Sequence, residues 1–345
     1  MSKAMIAVLV LVGLTFLPRS WAVSNAVVGT CRTGTHYSTI QAAIDAADVG
    51  STVQVCPGTY SEILTITNNL SLKGVASGTS DSVIITAPPA GVPANGSSAI
   101  WGSLTAQVLV QNATANLSNL TIDGGGGSSC PKGVTSVGVL LQAAGGSVTN
   151  STFQNPPLCL QISALLDHTT NFNFSDNYLR DCEQSCLEVD FGTGTTVKGN
   201  DIASVGFTVD GIETQQLAGP ATISANVIRG NIDWGIVAQS SPSVTITSNN
   251  VMSDLREGGA IVLFATTQAI AEGNHVSAQT MAQPTGKSPN RVGIFLDDNG
   301  AVGGNTILNN TVTGGACGLQ IHTTNRGDTI APNTYFNEPQ IMCTF

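Results

Sequence analysis

Between Gly211 and Asn250 one unit is written twice, as GIETQQLAGPATISANVIRGNIDW and then as GIVAQSSPSVTITSNN, with a period of 24 residues. Self-similarity at this spacing points to a solenoid, in which each unit buries its apolar face only by stacking on its neighbours. The opening pentad recurs outward as GVLLQ at Gly138, CLQIS at Cys159, CLEVD at Cys186, AIVLF at Ala260, GIFLD at Gly293 and GLQIH at Gly318. A second landmark follows each pentad: Asn150, Asn177, Asn200, Asn226, Asn250, Asn274, Asn310 and Asn333.

Each pentad alternates like a strand, with its second and fourth positions apolar. Units this short, and this rich in Gly, Thr and Asn, cannot hold two packed helices. Coiling them sets every strand about 4.8 Å from its counterpart in a continuous parallel sheet. The asparagines then form a hydrogen-bonded ladder along the stack. The expected architecture is all-β, a coil of about ten to twelve turns, right-handed as parallel crossovers are. Ile212, Ile236, Ile261, Ile294 and Leu319 should form one interior column.

Residues 1–22 read as a secretory signal peptide, with Lys3, an apolar core from Ala4 to Leu17 and Ser20-Trp21-Ala22 as cleavage site. The apolar run is shorter than a bilayer requires. No later segment is apolar enough to span. The expectation is therefore an exported chain, secreted or periplasmic, with one domain over residues 23–345. The chain carries 12 Lys and Arg against 22 Asp and Glu, a net charge of −10. With no basic cluster, nucleic acid is excluded as a partner. The expected state is a monomer.

Eight cysteines in an exported chain point to disulfides. Cys31 with Cys56 would staple one end and Cys317 with Cys343 the other, where a solenoid frays. Cys130, Cys159, Cys182 and Cys186 leave three connectivities open. The N-terminal cap spans about 31–62. There, Ser38-Thr39-Ile40-Gln41 reads as a capping box, Ile40, Ala43, Ile44 and Ala47 share one helical face, and Gly50 stops the helix.

YSTIQAAIDAADVGSTVQVCPGTYSEILTI, followed by LSLKGVASGTSDSVII, resembles the opening of right-handed parallel β-helix proteins of the pectin-lyase-like type. With the downstream repeats, the resemblance covers nearly the whole mature chain. It implies a single-stranded right-handed parallel β-helix with a short N-terminal capping helix. It does not imply one activity, because this architecture carries lyases, hydrolases, esterases, epimerases and non-catalytic proteins.

If the second and fourth pentad positions point inward, the third and fifth point out. The third-position column reads Leu140, Gln161, Glu188, Glu213, Val237, Val262, Phe295, Gln320. The fifth reads Gln142, Ser163, Asp190, Gln215, Gln239, Phe264, Asp297, His322. Glu188, Asp190 and Glu213 form a first group of candidate catalytic residues, with Asp210 at its edge. Glu188 and Glu213 would lie about 4.8 Å apart, and Asp190 and Glu213 roughly 8 Å. The first distance suits a retaining and the second an inverting glycosidase pair. Such repulsion is relieved by a proton or a cation. With oxygen ligands only, the cation would be Ca²⁺. The bland alternative is a solvated sheet face.

Asp297 and Asp298 form a second candidate catalytic group. The excursion AQPTGKSPNR would bring Lys287 and Arg291 beside it, with His322 one coil on, as substrate-binding residues; Phe264 and Phe295 are the aromatic sheet candidates. Asp-Asp on a coil resembles one element of the polygalacturonase pattern, but its Gly-His-Gly and Arg-Ile-Lys are missing. VDFG at Val189–Gly192 resembles part of a pectin methylesterase strand, without the companion Gln-Asp-Thr-Leu. No pectate-lyase calcium-and-arginine signature is present. Two readings stay open. One is a polysaccharide lyase or glycoside hydrolase acting on a pectin-like or other acidic glycan through an outward acidic groove. The other is a non-catalytic β-helix that binds a cell-surface glycan or serves a structural role. Periplasmic metal delivery is disfavoured by the scatter of His36, His168, His275 and His322.

Overall fold

The computed structural model describes residues 25–75, 82–124, 134–154, 161–253, 258–278, 292–297, 299–300, 303–314, 317–322, 327–330, 332–336 and 342–344. The expected leader, Cys130, Cys159, Lys287, Arg291 and Asp298 lie outside these residues, as does the Cys343 side chain. No helix among the described residues is long and apolar enough to cross a membrane.

Strands of two to fifteen residues stack coil upon coil. One face is a 13-stranded sheet running from Thr35–Tyr37 and Ala26–Val28 to Thr329–Ile330. A 21-stranded network makes the rest. Two of its strands, Asp201–Gln215 and Val227–Gln239, are long enough to pass from one face to the next, joining what are elsewhere separate rows. The single antiparallel pair among the described residues is the hairpin of Gly96–Ser98 with Gly102–Gln111.

The interior column is as the repeat predicts. Leu187, Ile212, Ile236, Ile261, Ile294 and Leu319 pair in unbroken register, all without exposed surface. Continued to both ends, the row reads Leu64, Val108, Val139, Ala164, then those six, then Met342, which makes eleven described rungs. The small residue opening each pentad has a steric reason. A Cβ on Gly211 would stand 2.5 Å from the Gly235 carbonyl oxygen of the next coil.

The asparagine ladder exists, with two members corrected by one residue. It runs Ser151, Asn177, Asn200, Asn226, Asn249, Asn274, Asn310, Asn333, so Asn150 and Asn250 lie beside it. The ladder residue follows a left-handed one, as at Asp176 (φ 57°), Gly199 (φ 67°), Ala225 (φ 54°) and Ser248 (φ 57°). In Ser248-Asn249-Asn250 the corner falls at Ser248, which makes Asn249 the rung.

The cap helix spans Ile40–Ala46 and buries Ile40, Ala43 and Ile44. Its N-cap is Thr39, and no capping box forms. Gln41 instead ties down the strand Leu64–Ile66 through the Thr65 backbone. The capping carboxylate is Glu62, which accepts from the Ile40 and Gln41 N–H groups at 2.9 and 3.0 Å. Cys31 and Cys56 are bridged, with Cα atoms 5.7 Å apart. Cys317 is disulfide-bonded too. Of the pairings left open, Cys182–Cys186 forms.

Candidate functional site

Register fixes three outward columns on the pentad sheet. The third-position column runs Leu109, Leu140, Leu165, Glu188, Glu213, Val237, Val262, Phe295, Gln320. The fifth runs Gln111, Gln142, Asp167, Asp190, Gln215, Gln239, Phe264, Asp297. From Glu188 to Gln320 and from Asp190 to Asp297 they match the sequence reading. One coil earlier the reading is corrected: Leu165 and Asp167 replace Gln161 and Ser163, because the strand Gln161–Asp167 enters the stack four residues later than CLQIS implies. The third column lies just upstream in each strand and runs Ser185, Asp210, Trp234.

The outward face is not a solvated surface at its first coils. Leu104, Ala106, Leu109, Val137, Leu140, Ile162 and Leu165 form a second apolar cluster outside the coil, packed under Trp101. The antiparallel hairpin places that Trp, whose Nε1–H donates to Glu188 Oε1 at 2.6 Å. Glu188 and Asp190 are consequently 0 % exposed. Glu188 Oε2 and both Asp190 carboxyl oxygens meet no partner in hydrogen-bond geometry, but the two carboxyls lie close enough to share a proton. The fully solvated alternative therefore fails for this pair.

Burial, first, and then the charges of Asp190 and Glu213 push the Glu188 carboxyl up to about 10, against the weaker opposing pull of the Trp101 hydrogen bond. Burial and the charges of Glu213 and Asp167 push Asp190 up to about 8. Asp210, also raised well above the usual range, suffers burial and then the nearness of Glu213 and Glu188. Glu213, half-buried, is raised by desolvation. Burial and mutual repulsion thus both favour the protonated forms. No three His, Cys, Asp or Glu among the described residues are grouped to hold a metal ion, so the calcium expectation gains no support from the donor geometry.

Downstream of the cover the face opens into a cleft of ≈ 440 Å³. Asp210 and Glu213 stand on one wall, with Trp234, Phe264 and Phe295 among the aromatic lining and Gln184 and Gln239 as polar neighbours. Of the expected site residues, the cleft gathers Glu213, Phe264 and Phe295. Glu188 and Asp190 adjoin the acids but do not line it. Asp297 follows Phe264 in register, four rungs and about 19 Å from Asp190. It accepts from the Asn299 N–H and meets His322 Nδ1 at 3.0 Å, a separate pair rather than part of the acid group.

Four residues that the pattern reading left out, or left at its edge, belong to this region. Asp167, 2 % exposed, meets His168 Nδ1 at 2.7 Å, and the His168 ring stacks on Phe191. Asp210 accepts from Ser185 Oγ. Trp234 pairs in register with Asp210, and extending the repeat alignment one residue upstream of GIETQ and GIVAQ would have found it. Trp101 left no local signal.

The sequence matches the family described as Right handed beta helix region over residues 106–253 and 162–335. The chain belongs to the right-handed β-helix family. Solved structures agree on the fold. This β-helix is similar to DFA-IIIase from Arthrobacter chlorophenolicus A6 (TM-score 0.61, 13 % identity, 91 % of this chain and 84 % of that one). It is also similar to the A-module of the Azotobacter vinelandii mannuronan C-5 epimerase AlgE6 (TM-score 0.52, 16 % identity, 89 % and 91 %). The Dettilon tailspike protein gp208 gives a TM-score of 0.55 at 17 % identity over 86 % of this chain, which spans 64 % of that structure. Comparison with curated proteins finds no match.

Proposed function

We propose that this β-helix is an exported carbohydrate-active protein that holds a glycan in the outward cleft and cleaves a glycosidic bond with the pair Asp210 and Glu213. The observation that carries the reading is the cleft itself, where two carboxyls of one strand face Trp234, Phe264 and Phe295. Aromatic faces take the apolar faces of sugar rings, and carboxyls take hydroxyls. The pair's electrostatics suit acid–base work. Two adjoining carboxyls do not both ionise readily, and burial pushes Asp210, the more buried, well towards its protonated form. It would donate to the leaving-group oxygen, while Glu213 would act as base or nucleophile once ionised. Glu188 and Asp190 would act from behind, through the charge they impose. Export is supported by Cys31–Cys56 and Cys182–Cys186. The names of the structural neighbours, a mannuronan epimerase among them, favour a carbohydrate ligand.

A second reading, binding without turnover, is favoured by the burial of Asp210, 6 % exposed. Turnover and affinity separate the two. Across a polysaccharide panel, Glu213→Gln and Asp210→Asn should each lower kcat by about 10²- to 10⁴-fold. Affinity should stay within a few-fold, and Trp234→Ala should weaken binding. Binding by the wild type with no turnover of any panel member would establish the non-catalytic reading. A calcium-dependent rise in Tm, lost in Glu213→Gln, would assign the acids to a cation.

A further inference from the structure

Gln184 and Val209 stand at the edge that the cleft shares with a neighbouring groove. This second groove, of ≈ 500 Å³, is bounded by Asp181, Glu183, Gly206 and Phe207. This groove sits where the parallel ladder is interrupted. Ser204 pairs with Gly230 and Thr208 with Ile232, so Val205, Gly206 and Phe207 stand opposite one residue of the next coil. Val205 is 90 % exposed and Phe207 42 %.

The bulge is held in place at both ends. Asp181 Oδ1 accepts from the Val205 N–H at 2.9 Å, Ser204 Oγ donates to the Gly206 carbonyl at 3.0 Å, and Thr208 Oγ1 donates to the Cys182 carbonyl. The facing wall is closed by the Cys182–Cys186 disulfide, which brackets Gln184. An extra segment that interrupts a ladder is usually a retained feature that re-aims side chains. Here it presents a half-exposed phenyl ring on a groove that shares Gln184 and Val209 with the cleft.

The charge of the two linings selects among glycans. Asp181, Glu183, Asp210 and Glu213 line them, and neither lining includes a Lys or Arg among the described residues. A uronate carboxylate entering here would meet carboxyls on both linings and no cation among the described lining residues to offset them. A neutral sugar offers hydroxyl donors to the same groups and a ring face to the aromatics.

We propose that the two grooves form one extended site for an uncharged oligosaccharide, with Phe207 as the platform of an outer subsite. This rests on the carbohydrate reading above and departs from the acidic glycan that the sequence suggests.

The test is equilibrium binding of the full mature chain to neutral gluco-, manno-, xylo- and fructo-oligosaccharides, from disaccharides to octasaccharides. Galacturonate and mannuronate oligomers of the same lengths form the charged series. Neutral sugars should bind more tightly as they lengthen, with uronates at least about tenfold weaker. Phe207→Ala should cost the long neutral sugars about five- to tenfold and the disaccharides nothing, the scale of one aromatic contact. Phe207→Trp should keep the length dependence, which guards against a folding defect in the alanine variant. Uronates binding as tightly as neutral sugars, or a Phe207→Ala effect independent of length, would overturn the proposal. If Trp234→Ala weakens binding while Phe207→Ala does not, only the extended site falls. If no sugar binds, or Trp234→Ala changes nothing, the carbohydrate reading falls with it.

Discussion

Trp101 reaches a residue 87 positions away in the chain, and its indole N–H supplies Glu188 with a hydrogen bond at Oε1. The other oxygen, Oε2, meets no partner in hydrogen-bond geometry. Replacing Trp101 by Phe keeps an apolar cover but leaves Oε1 unpaired in a dry site. Leaving a buried polar group unsatisfied costs about 1–3 kcal/mol. Trp101→Phe should therefore lower unfolding stability by that amount in urea titration, and in a Glu188→Leu background, which offers the indole no acceptor, the loss should shrink. An equal loss in both backgrounds would mean that the indole matters only as packing. The acids themselves were legible, since alternation within CLEVD and GIETQ puts Glu188 and Glu213 on one face. Their burial was not legible, because the cover comes from a hairpin that shares no repeat with them. Asp167 was hidden for another reason: CLQIS and SALLD both alternate plausibly, and only stacking of Ala164 on Leu187 chooses between them.

Among the elements, the asparagine ladder gives the clearest energetic contrast. Asn226 donates from Nδ2 to the Val197 carbonyl at 3.1 Å and to Asn249 Oδ1 at 3.0 Å, while its Oδ1 accepts from the Asn200 N–H and Nδ2 at 2.9 Å. Asn226 is 0 % exposed, so water cannot replace these bonds. Asn226→Ala strands several buried groups at once and should cost roughly 3–5 kcal/mol. Asn333→Ala, at the partly exposed last rung, should cost about 1 kcal/mol, since water can replace what it loses. Equal costs in chemical denaturation would show that the ladder follows the coil rather than holding it. That such a ladder exists was readable from the recurrence of Asn. Its rung at Asn249 was readable only from the corner, where the left-handed residue Ser248 decides which of two adjacent asparagines turns inward. The Ser204–Thr208 bulge breaks the repeat and left no periodic signal at all.

The whole molecule is a stack in which each coil is held mainly by its two neighbours, so a weakness in the middle coils is felt as a break in the stack. Glu188 and Asp190 lie in such a coil, and their folded-state carboxyls are raised to about 10 and about 8, chiefly by burial. An unfolded carboxyl titrates near 4. Between that value and the raised ones the folded chain binds more protons than the unfolded chain. The stabilising contribution is therefore complete below about pH 4 and is lost as pH rises towards the folded values, at about 1.4 kcal/mol per pH unit for each carboxyl. A solvated acidic face would give no such slope. Scanning calorimetry of the wild type from about pH 5 to about pH 9 should show Tm falling, and Glu188→Gln, which keeps the shape but cannot ionise, should flatten the fall. The difference between the two proteins isolates the Glu188 carboxyl with its coupling to Asp190 and Glu213, because no other ionisable residue is changed. Amide exchange should locate the effect, with protection in Ser185–Asp190 and the strand half around Glu213 lost at lower pH than in the disulfide-stapled cap. Parallel Tm curves for the two proteins would mean that the proton is not held at Glu188, and the assignment of Asp210 as the neutral partner of Glu213 would lose its electrostatic basis.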